Sequence, residues 1–260
     1  MAALDLNLKK GYHIQKPLSN EGGAIKGEVI SMAQTYGKEI LLEKISVAVQ
    51  NMDTFYQQDF LKWTGQTLND KILYSEVTAD YLLNHPELLD RISCVGRESY
   101  LVNHTPSPNA EDYQGTRKEE HLAQALKGKT LGELGEIKEY QVPLKRSAKD
   151  EGVGKIDLVS VNGSKLYVIE LKKDTSEETL LRCAMEVFTY CRQANREQLM
   201  KDYHATEIVP AVLVGKRGAQ EAELREKPAN LIKLLKQLGV EVFFYAKTET
   251  GEYVCERAEY

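Results

Sequence analysis

The stretch of residues 154–173, GKIDLVSVNGSKLYVIELKK, constrains the fold of this chain more than any other stretch. Two strongly apolar runs, residues 156–161 and 166–171, flank a segment of turn-forming residues, Asn-Gly-Ser. This pattern predicts a β-hairpin. Because both faces of each strand are mostly apolar, we expect both faces of the sheet to be covered.

Three charged residues interrupt the apolar hairpin: Asp157, Glu170 and Lys172. Glu170 and Lys172 are two residues apart, so they share a face of their strand. Two carboxylates opposed on a sheet repel each other, and a divalent cation between them would remove that cost. Hard oxygen ligands of this kind suit Mg²⁺. The alternative is that the carboxylates are solvated on an open face of the sheet.

The register of the hairpin decides how closely the two carboxylates approach. A type II′ turn centred on residues 163–164 places Asp157 directly opposite Glu170, with Cβ atoms about 4.5–5.5 Å apart. A turn centred on residues 162–163 instead places Val168 opposite Asp157 and leaves Glu170 as a diagonal neighbour. Both registers remain open from the sequence.

An Asp on one strand followed by Glu170-Leu171-Lys172 on the next resembles the signature of the PD-(D/E)XK nuclease superfamily, which has the restriction-endonuclease-like fold. The resemblance implies that Asp157, Glu170 and the carbonyl of Leu171 bind Mg²⁺, for which Mn²⁺ could substitute. It also implies that Lys172 orients or activates the attacking water. Ile156 stands where many members of the superfamily have Pro.

Glu119 is a further candidate at the start of a predicted helix. Thr116 and Glu119 have the spacing of a capping box. Glu119 also shares a helix face with Leu122, Ala123 and Leu126. The superfamily often carries a Glu on its first helix that completes or supports the metal site, so the resemblance implies a catalytic role for Glu119. The capping box and the catalytic role are equally open.

A second capping box, Thr175 with Glu178, predicts a helix from residue 175 to about residue 198. Some branches of the superfamily place a Gln-xxx-Tyr motif on this helix. The nearest match in this chain is Glu186-xxx-Tyr190, with Glu in place of Gln. We therefore expect Tyr190 to be a core residue rather than a site residue.

Four basic residues are candidates for binding the substrate. Lys149 and Lys155 lie in or next to the connector that leads into the hairpin, and Lys216 and Arg217 follow a predicted buried strand. Ends of strands are where α/β folds place ligands, so these side chains are candidates for phosphate contacts. The net charge of −5 argues against a general polycation. Residues 138–173, however, carry eight Lys and Arg against five Asp and Glu.

The order of predicted elements within residues 117–246, about half of the 260 residues, matches the superfamily. It implies an α/β fold, a three-layer α/β/α restriction-endonuclease-like core with a mixed β-sheet. Residues 103–115 form a Pro/Asn/Gly-rich connector. We therefore predict an N-terminal α+β extension (residues 1–110) and a nuclease-like domain (residues 111–260). The extension is expected to bind substrate, form a homodimer or recruit a partner.

These features predict a Mg²⁺-dependent nuclease that hydrolyses phosphodiester bonds, with DNA favoured over RNA. The alternative is a catalytically inactive nuclease-fold module that binds nucleic acid or a protein partner. A non-nucleolytic Mg²⁺ enzyme is disfavoured, because the sequence contains neither a P-loop nor a dinucleotide-binding GxGxxG motif. The sequence has no apolar run of about 18 residues, no signal-peptide pattern and no CxxC spacing among its four cysteines. We therefore expect a cytoplasmic protein without a membrane span.

Overall fold

The computed structural model describes residues 35–107, 117–147, 149–150 and 152–260. The described residues form seven α-helices and seven β-strands. The helices are α1 (Lys38–Ala48), α2 (Tyr74–Asn84), α3 (Lys118–Leu126), α4 (Leu180–Gln193), α5 (Arg196–Asp202), α6 (Ala219–Arg225) and α7 (Ala229–Leu238). The strands are β1 (Thr130–Leu131), β2 (Gly135–Pro143), β3 (Lys155–Asn162), β4 (Lys165–Leu171), β5 (Glu207–Gly215), β6 (Glu241–Lys247) and β7 (Tyr253–Arg257). Short 3₁₀ helices span Met52–Gln57, Asp59–Lys62, Pro86–Arg91 and Gly132–Leu134.

All seven strands form one mixed sheet, and their spatial order follows the sequence from β1 to β7. Strands β1 to β4 pair antiparallel, β4, β5 and β6 pair parallel, and β7 returns antiparallel to β6. The predicted buried strand is β5, which lies between β4 and β6. The predicted mixture of helices and strands and the predicted mixed sheet are therefore confirmed.

The sheet curls so strongly that its two edge strands approach each other. The Cys255 thiol donates to the Leu131 carbonyl at 3.2 Å, and Arg257 lies 3.6 Å from Glu133. The concave face encloses an apolar cluster that α3 also contacts. The members of this cluster include Ala123, Leu126, Leu134, Ile137, Leu158, Ile169, Leu213 and Phe243.

The opposite face of the sheet packs against helices from both halves of the chain. Leu41 and Leu82 come from α1 and α2, and they share one buried apolar cluster with Val168 of β4, Leu181 of α4 and Leu234 of α7. The predicted domain boundary near residue 110 falls outside the described residues. On either side of it, the chain contributes to the same core.

The predicted helix from residue 175 to residue 198 is wrong at its start and in its length. Helix α4 begins at Leu180, because the Thr179 hydroxyl accepts from the Arg182 amide at 3.1 Å and caps the helix there. The helix ends at Gln193, and the Asn195 side chain then caps a separate helix, α5. Residues 172–179 therefore precede α4 as a segment with one turn and no helix or strand.

Two further features concern the cysteines and the length of the helices. Cys183 and Cys191 are buried core residues in α4. In the described part of the chain, no helix combines the length and the apolar content needed to span a bilayer.

Candidate active site

The register of the hairpin brings the two predicted carboxylates together. Asn162 pairs with Lys165, and the pairing continues to Leu158 opposite Ile169. Gly163 has a φ of 59°, as the first central position of a type II′ turn requires. The paired residues end there, and extending the same register by one residue sets Asp157 opposite Glu170. The first of the two predicted registers is therefore confirmed.

The carboxylate of Asp157, near the start of β3, lies between Gln141 of β2 and Leu171 at the end of β4. Its Oδ1 accepts from Gln141 Nε2 at 2.9 Å, and its Oδ2 accepts from the Leu171 amide at 3.0 Å. Burial raises the pKa of Asp157 from 3.8 to about 6, although the charge of Lys172 and the hydrogen bond from Leu171 act in the opposite direction. A proton or a cation at this carboxylate would therefore stabilise the folded protein.

Glu170 and Lys172 lie on the face of β4 that α4 covers. They are 2% and 6% exposed, and Lys172 Nζ lies 2.6 Å from Glu170 Oε1. Burial and the charges of Asp157 and Glu186 raise the pKa of Glu170 well above its usual range. Burial alone would lower the pKa of Lys172, but the neighbouring carboxylates, Glu170 foremost, raise it above its usual value. Lys172 is therefore an ammonium at neutral pH.

The segment before α4 and the helix itself add a second layer of charges. Lys172 Nζ lies 3.2 Å from Glu178 Oε2 and 3.9 Å from Glu186 Oε2. Arg182 forms ion pairs with both glutamates, and its Nε donates to the Tyr56 carbonyl at 3.3 Å. Residues 52–57, which the sequence assigned to a separate extension, thus contact the charged network.

Tyr190 is buried, as expected, but it also belongs to this network. Its hydroxyl donates to Glu186 Oε1 at 2.8 Å, and its ring packs edge-on against Tyr56 at 5.6 Å between centroids. A Cβ atom at Gly154 would lie 2.3 Å from the Tyr190 hydroxyl. The absence of a side chain at residue 154 therefore allows the loop before β3 to approach α4.

Glu119 reaches the same end of β4 from helix α3. The helix has Arg117 at its N-cap, which places Glu119 at the second helical position, whereas a capping box needs Glu at the third. Thr116 lies outside the described residues. Glu119 Oε1 accepts from the Lys173 amide at 3.4 Å, and its charge contributes to the raised pKa of Asp157. The capping-box alternative is therefore not the arrangement seen.

The four candidate substrate-binding residues lie at the same end of the sheet as these carboxylates. Strands β4 and β5 are parallel, so their C-terminal ends lie at the same end of the sheet. Strand β3 begins at that end because it is antiparallel to β4. Lys149, Lys155, Lys216 and Arg217 are all exposed there. Lys216 is paired with Glu256 at 2.8 Å.

The carboxylate and carbonyl oxygens at this end of the sheet are suitable ligands for a hard divalent cation. The Leu171 amide points toward Asp157, and within a strand the amide and carbonyl of one residue point to the same side. Asp157, Glu170 and the Leu171 carbonyl thus offer oxygen ligands of the type Mg²⁺ prefers. Among the described residues, however, no group of three or more His, Cys, Asp and Glu side chains has the spacing of a metal centre. The remaining positions would fall to water, which Mg²⁺ retains readily.

The charge balance of the network also favours a cation. If every group is ionised, the carboxylates outnumber the cations by two. The members are Asp157, Glu170, Glu178 and Glu186 on one side and Lys172 and Arg182 on the other. Burial of this excess negative charge is costly, and a divalent cation would neutralise it.

Three contributors to the site were missed from the sequence. Gln141 has a φ of 50° and follows a bulge in β2, which no local pattern indicates. The sequence pattern indicates only a capping box for Glu178 and an ordinary i,i+4 ion pair for Arg182 with Glu186. The available signal was the spacing of Glu178, Arg182 and Glu186, which places opposite charges four residues apart beside the apolar face of α4.

Comparisons with known proteins add no family to these observations. No family model matches the chain, and neither curated proteins nor solved structures give a significant match.

Proposed function

We propose that this protein is a Mg²⁺-dependent nuclease of the PD-(D/E)XK type that hydrolyses phosphodiester bonds, preferentially in DNA. The observation that carries the proposal is the convergence of Asp157, Glu170 and Lys172 in one largely buried patch at one end of the sheet. The sequence of α3, β2, β3, β4, α4 and β5 supports the finer assignment to a restriction-endonuclease-like α/β/α core.

Each residue of the patch has a defined role in this proposal. Asp157, Glu170 and the Leu171 carbonyl would hold the cation, and Glu119 would support them from α3. Mg²⁺ bound there would supply Lewis-acid polarisation of the scissile phosphate. Lys172 is an ammonium, so it acts as a donor that orients the attacking water and offsets negative charge on the phosphate, rather than as a general base.

The exposed cations at the same end of the sheet support a polyanionic substrate. Phosphate contacts by Lys and Arg provide most of the sequence-independent affinity of proteins for nucleic acids. We assign this role to Lys149, Lys155, Lys216 and Arg217. Such binding weakens as the salt concentration rises.

The first prediction tests the nuclease directly. Asp157→Asn and Glu170→Gln should each reduce Mg²⁺-dependent cleavage of DNA to background, because each removes a charged oxygen ligand. The measurement is cleavage of single-stranded, duplex and nicked DNA and of RNA by the purified proteins, with Mg²⁺, with Mn²⁺ and with excess EDTA. Glu207→Gln is the matched control, since Glu207 begins β5 at the opposite end of the sheet and should retain full activity.

Full activity in either site variant, or in EDTA, would contradict the proposal. Salt-dependent binding of DNA without cleavage under any of these conditions would instead favour the inactive nucleic-acid-binding module.

A further inference from the structure

The ammonium of Lys172 lies between two carboxylates with different surroundings. Glu170 is the nearer partner at 2.6 Å, and its side chain is 3% exposed. Glu178 lies at 3.2 Å, and its side chain is 31% exposed. Glu178 also borders a cavity of about 320 Å³ next to Trp63 and Glu223. Glu178 therefore keeps partial contact with water while it holds a buried cation.

Glu178 is fixed in place by contacts on both its backbone and its side chain. Its carbonyl accepts from Gln220 Nε2 at 2.6 Å, and its amide donates to Ser176 Oγ at 3.4 Å. Arg182 binds its Oε1, which leaves Oε2 for Lys172. The segment before α4 thus presents one preformed acceptor to Lys172.

Glu186 is a poorer second acceptor for Lys172. Its Oε2 lies 3.9 Å from Lys172 Nζ and 3.8 Å from Arg182, and its Oε1 already accepts from Tyr190. Glu178 is therefore the better alternative partner for the ammonium.

A cation at Asp157 and Glu170 would compete with Lys172 for the same carboxylate. Two positive charges on one buried carboxylate repel each other strongly where solvent screening is weak. We propose that Glu178 is a positioning residue that receives the ammonium of Lys172 when Glu170 turns to a divalent cation. This inference rests on the metal site of the proposed function, and it adds the device by which that site is freed.

The test measures Mn²⁺ binding by titration calorimetry without substrate. Glu178→Gln should bind Mn²⁺ about tenfold more weakly than wild type, the effect of one charge-assisted hydrogen bond. Glu178→Asp keeps the charge but shortens the side chain, and it should weaken Mn²⁺ binding in the same direction. Glu177→Gln makes the same charge change at an exposed neighbour and should stay within about twofold of wild type.

The Lys172→Met background separates positioning from a direct effect on the cation. Without the ammonium there is no competition for Glu170, so adding Glu178→Gln should then change the Mn²⁺ affinity by less than about twofold. An equal weakening in both backgrounds, or wild-type affinity in both Glu178 variants, would overturn the inference.

The same titration distinguishes this inference from the nuclease proposal. Mn²⁺ binding that follows the expected pattern in a protein that cleaves no nucleic acid would overturn the nuclease proposal and support the positioning role. Wild-type Mn²⁺ affinity in Asp157→Asn would overturn the metal site and the positioning role together.

Discussion

At the scale of single residues, Asp157 shows burial prevailing over hydrogen bonding. Both of its oxygens accept hydrogen bonds, which favour the charged form, yet its pKa is raised to about 6. The folded protein therefore binds this proton more tightly than the unfolded chain does. The resulting penalty is absent below about pH 4, grows between about pH 4 and pH 6, and is complete above that range.

The second prediction follows from this loss of stability as Asp157 ionises. In EDTA at pH 7.5, Asp157→Asn should be more stable than wild type by about 1–3 kcal/mol, because the buried charge is removed. The difference should shrink as the pH falls from 6 toward 4 and should be lost below the ordinary pKa of 3.8, where Asp157 is protonated in both states. Urea denaturation of both proteins at a series of pH values measures it.

Asp150→Asn is the control of opposite sign, since hydrogen bonds from Ser147 and the Arg146 side chain lower the pKa of Asp150. This variant should not gain stability at pH 7.5. An Asp157→Asn protein less stable than wild type at pH 7.5 would show that Asp157 is a satisfied structural carboxylate.

The third prediction concerns Lys172. Lys172→Met should slow single-turnover cleavage by about 10²–10⁴-fold, because the attacking water loses its orienting donor. Circular dichroism should show a folded protein, and Mn²⁺ binding should not weaken, since the variant removes a competing cation. A decrease of less than about threefold in the single-turnover rate would exclude Lys172 from the chemical step.

At the scale of elements, the sequence could predict those features that depend on residues close together in the chain. The hairpin carries its own turn residues and two apolar strands, so its position followed from the sequence. Its two possible registers stayed open, and the structure selects the one that brings residues 157 and 170 together. The start of α4 did not, because Thr175 and Thr179 are both good caps and only tertiary contacts select between them. Thr179 is selected because its hydroxyl also contacts the Leu61 carbonyl from the N-terminal half.

The fourth prediction compares the two caps. Thr179→Ala should lower the free energy of unfolding by about 1–2 kcal/mol, because it removes the cap of α4 and the contact to Leu61. Thr175→Ala changes an exposed residue outside the helix and should stay within about 0.5 kcal/mol of wild type. Urea denaturation of both variants measures the difference. A larger loss for Thr175→Ala would mean that α4 begins where the sequence pattern placed it.

Because the start of α4 was predicted wrongly, the contribution of Glu178 and Arg182 to the candidate site was not predicted. A helix from residue 175 would place Glu178 within its first turn, where its side chain would cap the helix. In the structure it precedes the cap and faces Lys172. Sequence patterns report contacts between near neighbours, whereas this contact depends on how the segment between β4 and α4 is anchored to Gln220.

At the scale of the whole molecule, the N-terminal half is built into the site. Gln57 Nε2 donates to the Gly152 carbonyl at 3.2 Å, beside the start of the β3–β4 hairpin. The Tyr56 carbonyl accepts from Arg182. Leu41, Ile45 and other apolar residues before the connector are buried in the same core as the sheet. Composition identified the connector between the halves, but it could not reveal this shared core.

The fifth prediction tests the dependence of one half on the other. A fragment of residues 117–260 should show no cooperative unfolding and no Mn²⁺ binding, because it exposes the apolar face that residues 35–107 cover. A fragment of residues 35–260 is the control and should unfold cooperatively. Urea denaturation and calorimetry measure both properties. A cooperative, Mn²⁺-binding fragment of residues 117–260 would instead establish the separate domain predicted from the sequence.

The curled sheet has a consequence for assembly with other molecules. A strand at the edge of an open sheet offers unpaired amides and carbonyls to a strand of another chain, which leads to fibres or sheet-extended dimers. Here β1 and β7 face each other, and side chains of β7 contact Leu131 and Glu133 on the other edge. The described sheet therefore resists intermolecular strand addition.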